Sequence, residues 1–401
     1  MPSFSPRMSR ITASATVAIS NLVAKKRREG TDIVSFSVGE PDFDTPQHIK
    51  DAAIQALQEG RTKYVPGPGI PELREAVADY HAKENQIPCK AENVLVAPSK
   101  QSVLYSILAV ADQGDEVVIP DPAWVSYEPM VQWAHARPVG VPLVAETGFR
   151  MTADAVAQRI TKKTKAIVLN SPSNPTGGVN TDADVKGIAD LAKDHDLWVV
   201  SDEMYQKIRF DGAPHLSPAS LPGMAERTIT LDGCSKTYAM TGWRIGWAVA
   251  PRPAWMELDK LQSQSLTHCT SFAQYGAVAA VNGPKDSVEA MRREFEARRD
   301  LIVAGLRALP GVTCPVPGGA FYVFPRFDPR QWGGLDDDAL CMQLIDKAGV
   351  AATPGSSFGA HGKGHLRLSY ATSRDRIQEG LKRMAAFQKS LALPAGAPVH
   401  R

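Results

Sequence analysis

The sequence predicts an α/β protein in which a large domain, built on a mainly parallel sheet with helices on both faces, is joined to a smaller α+β domain. Two patterns carry this expectation. From about residue 93 to residue 250, short continuous apolar runs alternate with amphipathic stretches, as in parallel strands buried on both faces and the helices that cover them. After Pro251 the alternation gives way to long helical stretches broken by brief strands. A chain of 401 residues is long enough for two or three core-forming units. We therefore divide it into an N-terminal arm that also contributes to the small domain (1–45), a large domain (46–285) and a small C-terminal domain (286–401).

In chain order, the first 28 residues hold no acid and several Ser, Thr and Arg, which suits either a transit peptide or an arm ending in a helix over 15–29. We expect the arm, and a cytoplasmic protein. Residues 35–46 are rich in turn formers, and Thr45-Pro46 reads as an N-cap and first helical position for a helix to about residue 57. A second rigid turn, Tyr64-Val-Pro-Gly-Pro-Gly-Ile-Pro71, feeds a helix over 71–85. Strands are then expected at 93–97, 116–120, 166–170, 197–201, 228–231 and 245–250. Helices are expected at 99–111, 126–134 and 182–194. In the last part we expect helices at 254–266, 272–282, 287–309, 337–348 and 373–391, with strands at 320–324, 350–352 and 365–370. The tail 393–401 reads as frayed.

Composition narrows the function. A formal net charge of +2 argues against a nucleic-acid partner. The one dense basic block, Lys25-Lys-Arg-Arg28, is followed by Glu29 and reads as a solvated helix face. No apolar run is long enough for a membrane span. The five cysteines (Cys89, Cys234, Cys269, Cys314 and Cys341) are scattered without a C-x-x-C pair, as expected of reduced thiols. We expect no metal.

In parallel α/β sheets, ligands bind outside the carboxyl ends of the strands. Beyond the expected strand at 166–170 comes Asn174 in a proline-fixed turn; beyond 197–201 come Asp202 and Tyr205; beyond 228–231 come Ser235 and Lys236. An amide, a carboxylate, a phenol, a hydroxyl and an amine therefore converge on one edge. They suit pyridoxal 5′-phosphate, which needs a lysine for its imine, a carboxylate beside its ring nitrogen and donors for its phosphate. Ser99 and Lys100 open a helix whose N-terminus favours a phosphate, and Arg244 is a charge-assisted partner for it. Trp124 is either a planar platform for the ring or a core or interface tryptophan. Asn174 and Tyr205 are either partners of the ring hydroxyl or satisfied core groups. Arg367, between Leu366 and Leu368, faces away from them and is either an exposed arginine, the commoner outcome, or a bidentate carboxylate clamp.

Together these residues resemble the class I aminotransferases of the aspartate aminotransferase fold, pyridoxal-phosphate enzymes of fold type I, over about residues 14–386. The motifs are Ser-Val-Gly-Glu-Pro-Asp-Phe-Asp-Thr-Pro, Thr-Lys-Tyr, Asn-Ser-Pro-Ser-Asn-Pro-Thr-Gly, Ser-Asp-Glu-Met-Tyr, Ser-Lys-Thr-Tyr-Ala-Met-Thr-Gly-Trp-Arg-Ile-Gly and Arg-Leu-Ser-Tyr-Ala-Thr. The resemblance implies Lys236 as imine anchor and proton shuttle, Asp202 on the pyridinium, and Tyr205 with Asn174 on the ring hydroxyl. It implies Trp124 stacked on the ring, and Ser235, Arg244 and the Ser99-Lys100 turn on the phosphate. It also implies a homodimer with shared sites, in which Tyr64 reaches the neighbour's phosphate. Arg367 and the backbone at Gly39 would bind the substrate α-carboxylate. Lys100 matches a lysine that contacts the distal carboxylate in relatives acting on aspartate, although Pro98-Ser99 stands where those relatives carry two glycines. Relatives that use prephenate commonly have a lysine at the position of Thr12.

The expected activity is thus transfer of the amino group of aspartate, or another acidic amino acid, to 2-oxoglutarate. Aromatic amino acids, prephenate or alanine are alternative substrates, and a β-lyase is an alternative reaction. A DNA-binding sensor is not expected, because the arm starts almost at residue 1.

Overall fold

A computed structural model describes residues 4, 5, 8 and 14–391 of the chain. Its centre is a seven-stranded sheet formed by β1 (Val94–Val96), β2 (Glu116–Asp121), β3 (Arg137–Pro142), β4 (Thr164–Asn170), β5 (Trp198–Asp202), β6 (Thr228–Gly233) and β7 (Gly246–Val249). The spatial order is β1-β7-β6-β5-β4-β2-β3, and β7 alone runs against the others. Alternate residues of each strand point to opposite faces and pack in separate cores. Val117, Ile119, Ala166 and Val168 join Tyr105, Tyr127 and Leu258 on one side. Val118, Ile167, Leu169 and Val199 join Ile188, Phe149 and Met151 on the other. Both faces are dry, which is why β4 to β6 read as unbroken apolar runs.

Six of these strands match the expected ones within one or two residues, but β3 was not expected. Pro138, Gly140 and Pro142 hide it in the sequence, and its place at the sheet edge is what makes the prolines tolerable. Strand β6 also runs two residues further than expected, through Asp232 and Gly233.

The helices follow their caps. Ile70 precedes Pro71 at the first position of the Pro71–Glu84 helix. Thr181 and Asp184 form a reciprocal capping box for Asp182–Asp194. Thr45 does not cap the Gln47–Gln58 helix as expected: Pro46 takes the cap position, and the Thr45 hydroxyl donates to the Ala239 carbonyl and accepts from the Trp243 indole. The helix expected over 337–348 is an α-helix, Asp337–Gln343, continued by a π-helical turn, Leu344–Ala348.

Beyond the long Asp286–Arg307 helix lie short strands. Tyr322–Val323, Leu366–Ser369 and Thr353–Pro354 form an antiparallel trio, and Val350–Ala351 pairs in parallel with Val34–Ser35 near the N-terminus. The last helix, Arg374–Leu391, covers that pairing, and Phe36, Tyr370, Ile377 and Met384 share one core. Thr12 and the tail 393–401 lie outside the described residues. No helix among the described residues is long and apolar enough to cross a membrane.

Gly380 marks a tight point of this packing, because a Cβ there would sit 2.5 Å from Cε2 of Phe36 and 3.1 Å from Val34. Gly380→Ala should therefore lower stability by about 1–3 kcal/mol through overpacking, despite its gain in helix propensity. Denaturant unfolding followed by helical circular dichroism measures this, and an unshifted midpoint would show that the seam is not tight.

Candidate active site

The carboxyl ends of the parallel strands open into a cavity of about 370 Å³. Strand register decides what lines it. Asn170 pairs with Asp202, Asp202 with Leu231, and Gly233 with Gly246 of the reversed strand. The residues that follow β4, β5 and β6, and those that precede β7, therefore crowd onto one edge. Asn174, Asp202, Tyr205, Ser235, Lys236 and Arg244 all line the cavity, with Ser99 and Lys100 from the start of the Ser99–Val110 helix and Trp124 from beyond β2. Gly39 and Arg367 close it from the N-terminal and C-terminal segments. Of the residues singled out in the sequence, Tyr64 alone is absent from the lining. Its side chain is 88% exposed and rests edge-on against His268.

Lys236 rises from a short helical turn, Cys234–Thr237, directly after β6, and its Nζ donates to the Gly39 carbonyl at 2.6 Å. Burial lowers its pKa to about 8; Arg367 and Arg244 add to the effect, while Glu40 and Asp202 oppose it. Asp202, at the last position of β5, is buried. Tyr127 Oη donates to its Oδ2 at 2.6 Å and the Met204 N–H to its Oδ1 at 3.3 Å. Burial raises its pKa to about 6, against those hydrogen bonds and the charge of Lys236. Asn170 donates to the Asp202 carbonyl and accepts from the Asn174 N–H, both at 3.0 Å, and so ties the ends of β4 and β5 together.

Arg367 is not exposed. It is 3% accessible, because the trio of short strands is covered on both faces. Its Nη1 donates to Asn174 Oδ1 at 3.1 Å and its Nη2 to the Ser37 carbonyl at 2.7 Å, while Nε is buried without a partner. Tyr322 lies beneath the guanidinium, 4.8 Å from ring centroid to carbon, and shares a 2.8 Å hydrogen bond with Tyr205. Lys100 Nζ stands 5.0 Å over the Trp124 ring, and burial, then Arg244, lowers its pKa. Ser99 packs into the edge where Gly233 and Gly246 meet: a Cβ at Gly233 would come within 2.6 Å of its Oγ.

Several lining residues were not read from the sequence. Tyr127 lies three residues after Trp124, a spacing that leaves both rings on one side of the chain, in edge contact at 5.2 Å. Thr16 and Ser20 reach the cavity from the Ala15–Arg28 helix. Their spacing of one helical turn was a usable signal. Tyr322 carried none.

The lining has a marked charge imbalance. Lys100, Lys236, Arg244 and Arg367 face one carboxylate, Asp202, and none of the four is ion-paired to a carboxylate among the described residues. A cavity of this kind is built for an anionic occupant.

The family model for aminotransferase class I and II matches residues 31–384. The chain is 44% identical over 384 residues to a probable aspartate/prephenate aminotransferase of Aquifex aeolicus, covering 94% of this chain and 96% of the relative. It is 41% identical over 390 residues to the aspartate aminotransferase of Geobacillus stearothermophilus, covering 96% and 99%. Among solved structures it is similar to the aspartate aminotransferase of Thermus thermophilus with maleate, with a TM-score of 0.92, 40% identity and coverage of 96% and 100%.

Tyr127→Phe removes the strongest hydrogen bond holding the Asp202 carboxylate ionised. The Asp202 midpoint should move above about 6, and stability at pH 7 should fall by about 1–3 kcal/mol. Carbon-13 NMR of labelled aspartate reads the midpoint, and an unmoved or lowered value would refute this account.

Proposed function

Because this chain belongs to the class I and II aminotransferases, a family dependent on pyridoxal 5′-phosphate, we propose that it transfers the amino group of aspartate, or another acidic amino acid, to 2-oxoglutarate. The observation that carries this reading is the surplus of unpaired cations around the cavity. The cofactor's phosphate and a dicarboxylate together supply the missing negative charge. The Thermus structure was solved with maleate, itself a dicarboxylate.

The residues present fit the cofactor. Arg367 Nε is buried and unpartnered, Lys236 has a carbonyl as its hydrogen-bond partner, and Ser99 Oγ is wedged where Gly233 and Gly246 leave room. When bound, pyridoxal phosphate supplies an electron sink for the electrons left at the substrate Cα. We assign Lys236 as its covalent anchor. Ser99, Ser235, Arg244 and the N-terminus of the Ser99–Val110 helix would hold its phosphate, with Lys100 beside them. Asp202 would hold a proton on the ring nitrogen, and Tyr127 keeps that carboxylate oriented and ionised. Trp124 would cover one face of the ring, and Asn174 with Tyr205 would reach its hydroxyl.

Arg367 would take the substrate α-carboxylate, with the backbone at Gly39 beside it, and Lys100 the distal one. Once free, the Lys236 amine moves the proton at Cα. Its low pKa leaves a neutral, basic fraction near pH 7. Tyr64, exposed on one chain, would complete the phosphate site of a second copy, so we propose a homodimer. We also propose the division into an arm (1–45), a large domain (46–285) and a small domain (286–401). A cytoplasmic location accords with five free cysteines.

Prephenate as a second acceptor is supported by the name of the Aquifex relative. A donor and acceptor panel, with one half-reaction at a time followed by the cofactor's colour, separates these readings. With aspartate alone, a transaminase stops after one equivalent, whereas a β-lyase releases pyruvate and ammonia continuously.

Two variants sharpen the assignment. Lys236→Ala should lose turnover and the absorbance of the covalently held cofactor; turnover at the parent rate would sink the anchor role. Lys100→Ala should raise the KM for aspartate about 10- to 100-fold, the equivalent of about 1.5–3 kcal/mol for one charged hydrogen bond. The KM for alanine should move little. An equal loss for both donors would remove Lys100 from the distal site.

A further inference from the structure

We propose that Asp232 is a positioning residue for Lys236, held as a neutral carboxylic acid by a one-way chain of hydrogen bonds that starts at the indole of Trp247. Its bearing on Lys236 depends on the role proposed above for that lysine, whereas its protonation state does not.

Three carboxyl groups are buried near the strand ends: Asp202, Glu203 and Asp232, at 7%, 1% and 2% accessibility. Asp202 faces the cavity and Lys236. Glu203 has His215 Nε2 at 2.7 Å and the hydroxyls of Ser201 and Ser217. Asp232 has no cation within hydrogen-bonding distance. Its Oδ1 accepts the Gly233 N–H at 2.7 Å, its Oδ2 lies 2.6 Å from the side-chain amide of Gln206, and His81 Nε2 stays at 4.0 Å.

The direction of the neighbouring bonds settles where the protons sit. An indole N–H only donates, and Trp247 Nε1 donates to His81 Nε2 at 2.8 Å. His81 is fully buried, and burial pushes its pKa down to about 4, so the ring is neutral and its proton must be on Nδ1. That N–H faces the Asn85 amide at 3.3 Å, and the same amide atom lies 2.8 Å from the Gln206 amide. With the Asn85 nitrogen at this point, two donors would meet. Turning the amide by 180° exchanges nitrogen for oxygen without moving any other atom. The Asn85 oxygen then accepts from His81, and accepts also from Gln206 once that amide is turned in the same way. The Gln206 oxygen now faces Asp232 Oδ2, and a hydrogen bond between them requires a proton on Asp232.

The surroundings agree. Burial raises the Asp232 pKa to about 8, and Glu203 adds to the effect; the Gly233 N–H and Lys207 favour the ionised form, as the Gln206 amide would only with its nitrogen turned toward the carboxyl. Tyr80, Tyr238 and Cys234, the other titratable groups around it, are all held neutral by burial. In this state Asp232 fixes the turn into Lys236 through the Gly233 N–H, and its carbonyl accepts from Ser99 Oγ at 3.4 Å. A neutral Asp232 leaves Glu40 and Asp202 as the carboxylates whose charge acts on Lys236.

Infrared spectra of the holoenzyme at pH 7, where Asp202 is ionised, should show a protonated-acid carbonyl band. The band should be absent from Asp232→Asn and weakened in Trp247→Phe, and it should fade as the pH passes about 8. Carbon-13 labelling of aspartate identifies the band in the parent protein even if neither variant folds. Stability supplies a second readout. A carboxyl protonated when folded and ionised when unfolded loses its stabilising contribution as pH rises from about 4 to about 8. The unfolding constant of the parent relative to Asp232→Asn should therefore grow about tenfold per pH unit across the middle of that window. In the holoenzyme, the cofactor absorbance of Asp232→Asn should titrate at the parent pH. A parent spectrum without the band, a pH-independent ratio, or a displaced titration in Asp232→Asn would overturn the proposal.

Discussion

The register of three parallel strands is the constraint on which the site depends. Asn170, Asp202 and Leu231 lie side by side across β4, β5 and β6, and a slip of one residue in β5 would reverse every side chain on it. Glu203 would then point where Asp202 does. These neighbours on the chain already have opposite electrostatic fates. Asp202 faces the cavity with a pKa raised by burial, whereas Glu203, turned to the other side, is held ionised by His215 and by hydroxyls despite its own burial. Strand alternation alone separates a carboxylate that faces the cavity from one that anchors the scaffold.

The second organising fact is the surplus of positive charge among the residues that line the cavity. Burying a guanidinium without a carboxylate is costly, yet Arg367 is satisfied by an amide and a carbonyl, with one nitrogen unmet. Lys100 and Arg244 repel one another across the same space, and burial lowers the affinity of Lys100 and Lys236 for their protons. Lys236 and Arg367 are held in place by the protein's own amide and carbonyl groups rather than by carboxylates. That arrangement strengthens binding, because little reorganisation remains to be done at the moment of contact.

Much of this was legible in the sequence, for identifiable reasons. Buried parallel strands appear as uninterrupted apolar runs, and Asn174, Tyr205, Ser235 and Lys236 follow such runs within a few residues. Strand β3 escaped notice because edge strands tolerate prolines that remove the apolar pattern. Tyr127 and Tyr322 escaped because their partners are far away along the chain: Tyr127 meets Asp202 across 75 residues and Tyr322 meets Tyr205 across 117. The burial of Arg367 was hidden by alternation, which distinguishes two faces of a strand without revealing that both are covered. Thr45 had the residue type of a cap, but tertiary contacts with Ala239 and Trp243 claimed its hydroxyl.

The reversal of β7 has a mechanical consequence. Because this strand runs backwards, its first residue rather than its last lies at the ligand edge, and Gly246 pairs directly with Gly233. Lys236 and Arg244 therefore stand on one closed loop whose two feet are clamped by the same ladder of backbone hydrogen bonds. Arg367 approaches from the separate trio of short strands and has no such clamp to them. The amine of Lys236 and the guanidinium of Arg244 are thus carried by one backbone-clamped segment. The spacing between Lys236 and Arg244 is thereby set by backbone pairing, while the distance from that pair to Arg367 is set by side-chain hydrogen bonds, to Asn174 Oδ1 and the Ser37 carbonyl.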